Sequence, residues 1–182
     1  MIKKKFRKES DSMGQMSVPK DALYGAQTAR AVENFPISKL RFNRSFIEAL
    51  GVIKFSAAKT NLSLKLISAD VGNSIMKAAN EVICGKHDTE FVVDIFQTGS
   101  GTSSNMNANE VIATLANKFI KGKTKVHPND HVNLCQSSND VIPTAMYISV
   151  YSLILNSLIP NLKTLEKELA SKARKFDKIF KI

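Results

Sequence analysis

Apolar residues recur at every third or fourth position from residue 44 onward, which is the spacing of one buried helical face. The first helix is predicted to begin at Arg44, and its apolar positions are Phe46, Ile47, Leu50, Ile53, Ala57, Ala58 and Leu62. A second helix is predicted from about Ser68 to Val82, with Gly85 suited to the position after its end. A third is predicted from about Ser104 to Ile120. The apolar segment FVVDIF, at residues 91–96, fits a short strand or an extended piece.

The most regular pattern lies in the last quarter of the chain. Its apolar positions alternate steps of three and four residues: Ile148, Tyr151, Leu155, Leu158, Leu162, Leu165 and Leu169. This heptad spacing is typical of a long helix that packs against other long helices. Pro160 lies inside the pattern and is expected to distort the helix locally. Because the chain offers too few helical partners, we expect these positions, hereafter the heptad seam, to pack outside this chain.

Strand signals are nearly absent, so the predicted fold class is all-α. Residues 1–43 look like an irregular arm, because periodic positions are few and four breakers interrupt the segment: Gly14, Pro19, Gly25 and Pro36. The pattern therefore predicts an arm, a helical domain and one long helix.

The composition is that of a globular domain. Hydrophobic residues make up 43% of the 182 positions, and the two cysteines, Cys84 and Cys135, fit a reducing compartment without disulfides. The basic segment MIKKKFRKES lacks the apolar stretch of a secretory signal, and no apolar run reaches the roughly 18 residues of a membrane span. We expect a cytoplasmic location and no membrane association.

The formal net charge is +10, and much of it lies in the segments KKKFRK and KARKFDKIFKI. Lysines scattered along helices usually form a solvated face. Nucleic-acid binding would require stacking aromatics or a known motif, and the chain has no tryptophan. No nucleic-acid partner is expected, whereas a positive field would attract a small anionic substrate.

Two polar loops, each leading into a helix, are the candidate binding sites. The first is TGSGTSSNMN at residues 98–107, and the second is CQSSNDVIPT at residues 135–144. Free backbone N–H groups and the helix dipole favour an anion at such a position, and a carboxylate is the natural ligand. The alternative is a plain N-cap at Ser138, Asn139 or Asp140, with Pro143 in the first helical turn.

Two histidines four residues apart, His127 and His131, suggest a metal site. Pro128 lies between them, so they are not expected to share a regular helical face, and no HExxH motif is present. A hydrogen-bonding or titratable role for His127 beside an anion is the preferred interpretation. No metal and no cofactor are predicted.

Three segments make the chain resemble a known family. They are DSMGQMSVPKDALYGAQTARAVENFPIS at residues 11–38, FQTGSGTSSNMNANEV at 96–111 and KVHPNDHVNLCQSSNDVIPTAM at 125–146. With these motifs in order, the chain resembles the class II fumarases of the fumarase/aspartase superfamily over nearly its whole length. The nearest alternative is aspartate ammonia-lyase. Ser100, His127 and the run Ser137, Ser138 and Asn139 are the fumarase choices, whereas the segment DHVNLCQ resembles aspartase.

The resemblance implies a helical subunit whose long central helices assemble a homotetramer. It divides the chain into an N-terminal lyase domain at residues 1–137 and the incomplete start of a central helical bundle at residues 138–182. The implied reaction is the reversible hydration of fumarate to L-malate, a step of the tricarboxylic acid cycle, without a cofactor. Malate loses its C3 proton to give a carboxylate-stabilised carbanion, and a general acid helps the hydroxyl group to leave.

The resemblance also implies roles for particular residues. Those expected to bind the substrate carboxylates are Ser100, Gly101, Thr102, Ser137, Ser138 and Asn139. Those expected to form a second anion site are His127, Pro128, Asn129 and Asp130. Thr124 stands where many relatives carry an arginine near that second site, which weakens the second assignment.

The family's general acid and base are expected outside this sequence. Family members continue into a Gly-Arg-Thr-His segment and a later Gly-Ser-Ser loop, and neither motif occurs here. No catalytic residue is therefore assigned in this chain, and the isolated chain is expected to be inactive. The leading hypothesis is the N-terminal part of a fumarase, with a companion chain able to supply the rest. The alternatives are an aspartate ammonia-lyase fragment and a non-catalytic helical oligomerisation remnant.

Overall fold

A computed structural model describes residues 5–121 and 124–180 of the chain. The elements, in chain order, are β1 (Phe6–Asp11), β2 (Gly14–Pro19), α1 (Ala26–Asn34), α2 (Arg44–Ser63), α3 (Ala69–Ile83), a 3-10 turn (Asp88–Glu90), α4 (Thr102–Phe119), a π turn (Pro128–Val132), α5 (Ser138–Leu153), a second π turn (Ile154–Leu158) and α6 (Ile159–Phe176). The predicted all-α class is confirmed, with one two-stranded sheet as an addition in the described residues.

The three helices predicted from periodicity form nearly where the sequence places them. Asn43 caps α2 by accepting a hydrogen bond from the Phe46 N–H at 3.0 Å, and Ser68 caps α3 in the same way. Both caps satisfy backbone donors that the first helical turn leaves free. Gly85, after α3, has a φ of 75°, the left-handed conformation expected there. The segment FVVDIF has no regular secondary structure at residues 91–94 and pairs with no described strand, so the short strand is not found there.

In its described part, residues 5–43, the arm is not irregular throughout, and this prediction is wrong in part. β1 and β2 form an antiparallel hairpin, with Phe6 opposite Pro19 and Asp11 opposite Gly14, and α1 follows. The Arg7 guanidinium ties the hairpin down, because it donates hydrogen bonds to four backbone carbonyls: Pro19, Lys20, Ala22 and Tyr24. These contacts join residues distant along the chain, so local periodicity does not reveal them.

The core lies among α2, α3, α4 and the beginning of α5. Apart from Phe46 and Phe91, its buried members are small or branched aliphatic residues, among them Leu50, Ile75, Val82, Val111, Ile112 and Val141. α1 is joined to this core by Glu110 of α4, whose side chain is buried. Its carboxylate accepts three hydrogen bonds from the N-terminal end of α1, from the N–H groups of Gly25 (2.8 Å), Gln27 (3.0 Å) and Thr28 (3.1 Å). A buried carboxylate at a helix N-terminus is stabilised by these donors and by the helix dipole.

The predicted long helix is continuous from Ser138 to Phe176. The local distortion expected at Pro160 takes the form of the π turn at Ile154–Leu158, where the Ile159 N–H bonds to the Ile154 carbonyl. A proline cannot donate to the carbonyl four residues earlier and its ring clashes with that group, so a widened turn relieves the crowding. The helix therefore passes the proline without ending.

The heptad seam is largely uncovered within the chain. Its residues from Tyr151 to Leu169 are between 44% and 66% exposed. By length and composition alone this helix could cross a membrane, since its most apolar window has a mean hydropathy of 1.5 and is only 17% buried inside the chain. The alternating steps of three and four indicate packing against other helices, which a helix surrounded by lipid would not need.

Candidate functional site

The first polar loop forms a tight turn into α4. Buried Gln97 closes the turn, because its Oε1 accepts a hydrogen bond from the Ser104 N–H at 2.9 Å and its Nε2 donates to Ser104 Oγ. Gly101 is the residue before α4, with a φ of 73°, and no side chain caps the helix. Ser100 Oγ and Thr102 Oγ1 lie 2.9 Å apart at the exposed mouth of the turn. The N-terminal end of α4 thus presents backbone and hydroxyl donors to solvent.

The second polar loop forms the N-terminal end of α5. The cap is Ser137, whose Oγ accepts a hydrogen bond from the Asn139 N–H at 3.3 Å, rather than Ser138, Asn139 or Asp140. Pro143 lies in the second turn of α5 and not in the first, because the helix begins at Ser138. Since Ser137 serves as the cap, the side chains of Ser138 and Asn139 are left for other contacts.

The two loops lie against each other. A methyl group at Gly101 would come within 2.8 Å of Ile142 Cγ1, so the α4 turn packs directly on α5. The Asn105 side chain of α4 donates hydrogen bonds to Asn133 Oδ1 at 3.1 Å and to Ser138 Oγ at 3.4 Å. The N-terminal turns of the two helices therefore lie side by side, and each helix has a partial positive charge at its N-terminal end.

The residues predicted for the second anion site form the π turn. His127 caps this turn, with Nδ1 3.2 Å from the Asp130 N–H and 3.1 Å from Asp130 Oδ2. His131 Nδ1 accepts a hydrogen bond from the His127 N–H at 2.8 Å. Both histidines are thus engaged within the turn. In the ranges 5–121 and 124–180, no three His, Cys, Asp or Glu side chains are grouped as a metal site would require.

His127, Pro128 and Asn129 line a cavity of about 500 Å³ between the hairpin, the start of α1 and α4. Its three carboxylates are already paired: Glu110 with the α1 N–H groups, Glu9 with Arg7 and Asp11 with Arg30. The hydrogen bond from Arg30 lowers the pKa of Asp11. Among the described lining residues His127 is the only basic side chain, so an anion there would depend mainly on this ring.

Sequence reasoning missed Lys54, which lies behind the converging loops. This side chain of α2 is completely buried, and its Nζ donates to Asn133 Oδ1 at 3.0 Å and to Gln136 Oε1 at 2.9 Å. Burial lowers the pKa of Lys54 from 10.5 to about 7. The signal was present in the sequence, because Lys54 follows Leu50 by four residues on the apolar face of α2, where the period calls for an apolar side chain.

Comparison with known proteins gives consistent similarities. Residues 14–182 match the model of a protein family described as lyase. The chain is 55% identical over 179 residues to a class II fumarate hydratase of Halobacterium salinarum, a match that covers 97% of this chain and 38% of that protein. It is 48% identical over 181 residues to a class II fumarate hydratase of Corynebacterium glutamicum, which covers 100% of this chain and 38% of that protein.

A solved structure gives the same result in three dimensions. The crystal structure of recombinant class II fumarase from Schistosoma mansoni superimposes with a TM-score of 0.89 at 41% sequence identity. The match covers 94% of this chain and 37% of that one. The chain therefore spans about 38% of the length of the relatives it matches.

Proposed function

The chain belongs to the lyase family, and from this membership we propose that it supplies the N-terminal part of a class II fumarate hydratase, which interconverts fumarate and L-malate. The observation that carries the proposal is that the N-terminal turns of two helices pack together. α4 starts after Gly101 without a side-chain cap, and α5 starts after its cap Ser137. The similarities favour this reading over an aspartate ammonia-lyase, the alternative that the sequence left open.

The proposed substrate is a dicarboxylate, and the two loops offer hydrogen-bond donors that carboxylate groups can accept from. Backbone N–H groups, hydroxyls and an amide can each donate a hydrogen bond to a carboxylate oxygen. The residues that would do so are Ser100, Gly101, Thr102, Ser137, Ser138 and Asn139. Donors held rigidly before the reaction stabilise the charge that develops on the substrate carboxylate as the C3 proton leaves.

The π turn would form the second anion site, through His127, Pro128, Asn129 and Asp130. The cavity beside it has the volume for a small dicarboxylate, and His127 supplies its one basic side chain among the described lining residues. Asp130 is not among those lining residues and contacts His127 instead, so its role would be to orient the ring. No general acid or base is assigned in this chain.

The heptad seam supports the oligomeric assembly that we propose for the enzyme. Residues 1–137 would form the N-terminal lyase domain, and residues 138–182 would begin a central bundle that several copies complete, as a homotetramer. A companion chain that carries the remaining motifs would restore the catalytic groups. We infer that the enzyme acts in the cytoplasm, where it would catalyse one step of the tricarboxylic acid cycle. No membrane, nucleic-acid or metal partner is proposed.

A second candidate is a non-catalytic remnant that assembles through the same helix. It is favoured by one observation, the uncovered apolar seam, which needs a partner whether or not the loops bind substrate. The two candidates differ in what they require of the polar loops, so the same experiment can separate them.

The test is fumarate hydration, followed by the loss of fumarate absorbance. The chain is assayed alone and after mixing with a separately produced chain that supplies the remaining part of a class II fumarase. Activity is expected in the mixture only, and Ser138→Ala in this chain should lower it about tenfold or more because a substrate donor is lost. The exposed Lys59→Met variant is the control and should leave activity unchanged. Co-assembly of the two chains without any activity would contradict the proposal and favour the remnant.

A further inference from the structure

Lys54 is the largest side chain that the structure buries completely, with 0% of its surface exposed. Lysine is almost never fully buried without a charged partner, because removing an ammonium group from water is costly. Within residues 5–121 and 124–180, no carboxylate forms an ion pair with Lys54. The cost of its burial is therefore not offset by an opposite charge, and its polar contacts must account for its place in the core.

The contacts of Lys54 go to one short segment, residues 133–136, which we call the linker loop. Its Nζ donates to the side-chain oxygens of Asn133 (3.0 Å) and Gln136 (2.9 Å). A second α2 residue, Asn61, lies seven positions later on the same face and donates to the Leu134 carbonyl at 3.1 Å. α2 thus holds the linker loop at three points with two side chains.

The amine also decides how the two amides are oriented. With their oxygens turned to Lys54, both NH₂ groups face the backbone of the same region. The Asn133 NH₂ donates to the Gln136 carbonyl at 3.2 Å, and the Gln136 NH₂ donates to the carbonyls of Val132 (2.8 Å) and Leu134 (3.2 Å). Asn133 Oδ1 additionally accepts from Asn105, which also donates to Ser138. A continuous chain of hydrogen bonds therefore runs from Lys54 to the first residue of α5.

The linker loop needs such support because its backbone is strained. Cys135 has a φ of 59°, a left-handed conformation that is unfavourable for a residue with a side chain. The loop is preceded by the π turn, with His127 and Asp130, and is followed by Ser137 at the cap of α5. A change in the loop would displace both groups of candidate anion-binding residues together.

From this placement we propose that Lys54 is a positioning residue for the candidate site. Its amine orients the side-chain amides of Asn133 and Gln136 and thereby fixes the linker loop between the two anion-binding groups. A neutral amine still has two N–H donors, enough for both oxygens, so the arrangement does not require the charged form. The role differs from general core packing, because it acts on one loop and leaves the other helices unaffected.

Hydrogen exchange followed by mass spectrometry on the full chain tests the proposal. Lys54→Met keeps the length of the side chain and removes its donors, and Lys59→Met is the matched control on the exposed face of α2. In Lys54→Met, residues 132–141 should exchange about tenfold faster, whereas peptides from α3 should change by less than about twofold. The control should match the wild type throughout.

A second readout adds succinate, a dicarboxylate that does not react. Slower exchange at residues 137–141 on succinate addition should require about tenfold more succinate in Lys54→Met than in the wild type. This readout rests on the proposed function, whereas the first does not. Absence of any succinate effect in the wild-type chain would count against the proposed function and would leave the loop comparison to decide the role of Lys54.

Two results would overturn the proposal: unchanged exchange in residues 132–141, or an equal acceleration in every helix, which would make Lys54 a general core residue. If Lys54→Met fails to fold, Gln136→Met tests the same network from the loop side, because it removes one acceptor of the amine together with the NH₂ group that donates to the Val132 and Leu134 carbonyls, and leaves Lys54 in place. That variant should loosen residues 132–141 alone, and normal protection there would equally overturn the proposal.

Discussion

The long helix contains two regions with similar apolar periodicity and opposite surroundings. From Ser138 to Ser149 it packs on α2 and α4, with Val141, Ile142 and Ala145 buried and the Ser149 hydroxyl 2.9 Å from that of Ser45. After Ser149 no described residue is buried, although the heptad seam continues to Leu169. Periodicity therefore reveals that a face must be covered, and only the tertiary contacts reveal whether this chain covers it.

The difference assigns separate roles to the two regions. The packed region places the α5 N-terminus beside the α4 loop, so substrate binding should depend on contacts within one chain. The exposed region has an apolar stripe, and burying such surface stabilises association by about 25 cal/mol per Å². Assembly should therefore depend on the second region alone.

Placing charge on the seam should have the largest effect. Leu155→Glu, Leu162→Glu and Leu169→Glu together put three carboxylates on the apolar stripe, and burying them in a helical interface would be strongly unfavourable. Sedimentation velocity should show an associated wild-type chain and a monomeric triple variant. The control places the same charges away from the seam, toward the other side of the helix, as Ser157→Glu, Thr164→Glu and Ser171→Glu, and should still associate. A wild-type chain that remains a 20.1 kDa monomer would contradict the role in assembly assigned to the exposed region.

The packed region should have an unusual pH dependence because of Lys54. Its pKa is about 7 in the folded chain and 10.5 when unfolded, so between these values the unfolded chain binds more protons. The free energy of unfolding should therefore rise from pH 7 toward pH 10 by a few kcal/mol, at about 1.4 kcal/mol per pKa unit. Urea unfolding across this range measures it. Lys54→Met should flatten the rise and Lys59→Met should retain it; a flat wild-type profile would refute the attribution.

The next largest effect is expected when the Glu110 carboxylate, which joins α4 to α1, is removed. Glu110→Ala leaves the N–H groups of Gly25, Gln27 and Thr28 without their acceptor. The expected loss is about 3 kcal/mol, since each buried donor left unpaired costs about 1 kcal/mol or more. Chemical denaturation measures the loss, and Glu33→Ala, at an exposed position of α1, is the control. Equal stability of the two variants would show that the Glu110 contact contributes little.

Substitution of two glycines in the first loop should have the smallest effect on stability. Gly99 and Gly101 both have positive φ, but a methyl group at Gly99 meets nothing within 4 Å, whereas one at Gly101 meets Ile142 at 2.8 Å. Gly99→Ala should cost about 1 kcal/mol through its backbone, and Gly101→Ala a further 1–3 kcal/mol through the clash. The additional loss of stability in Gly101→Ala should become smaller when Ile142→Ala is combined with it, because the side chain that clashes is then shortened. Equal losses at the two positions would mean that the α4 turn does not rest on α5.

The sequence predicted the helices and the polar loops that precede them far better than it predicted the contacts between them. The periodic positions around Leu50 and Ile112 suffice for α2 and α4, because one face of each helix is buried throughout. The small polar residues around Ser100 and Ser137 indicated the two loops, and the resemblance to a family assigned their roles. Arg7, Lys54 and Glu110 were missed in their roles, because each contacts backbone or amide groups 12 to 85 residues away, and no local pattern encodes such a partner.

The hairpin was missed for a related physical reason. Its strands have only six residues each. β1 shows little burial on either face, and the alternation in β2 is limited to Met16 and Val18, which is too short to identify a strand. The hairpin is stabilised instead by the Arg7 contacts and by the pair of Arg30 with Asp11. Both are side-chain contacts between segments that only the fold brings together.

If the two loops, 98–102 and 137–139, form one carboxylate site within a single chain, one bound ligand must affect both. The most direct test is a titration of the ¹⁵N-labelled chain with succinate, followed by the amide resonances. The amide resonances of Gly101, Thr102, Ser138 and Asn139 should shift together with one dissociation constant. Shifts at only one loop, or different dissociation constants for the two loops, would contradict a single shared site.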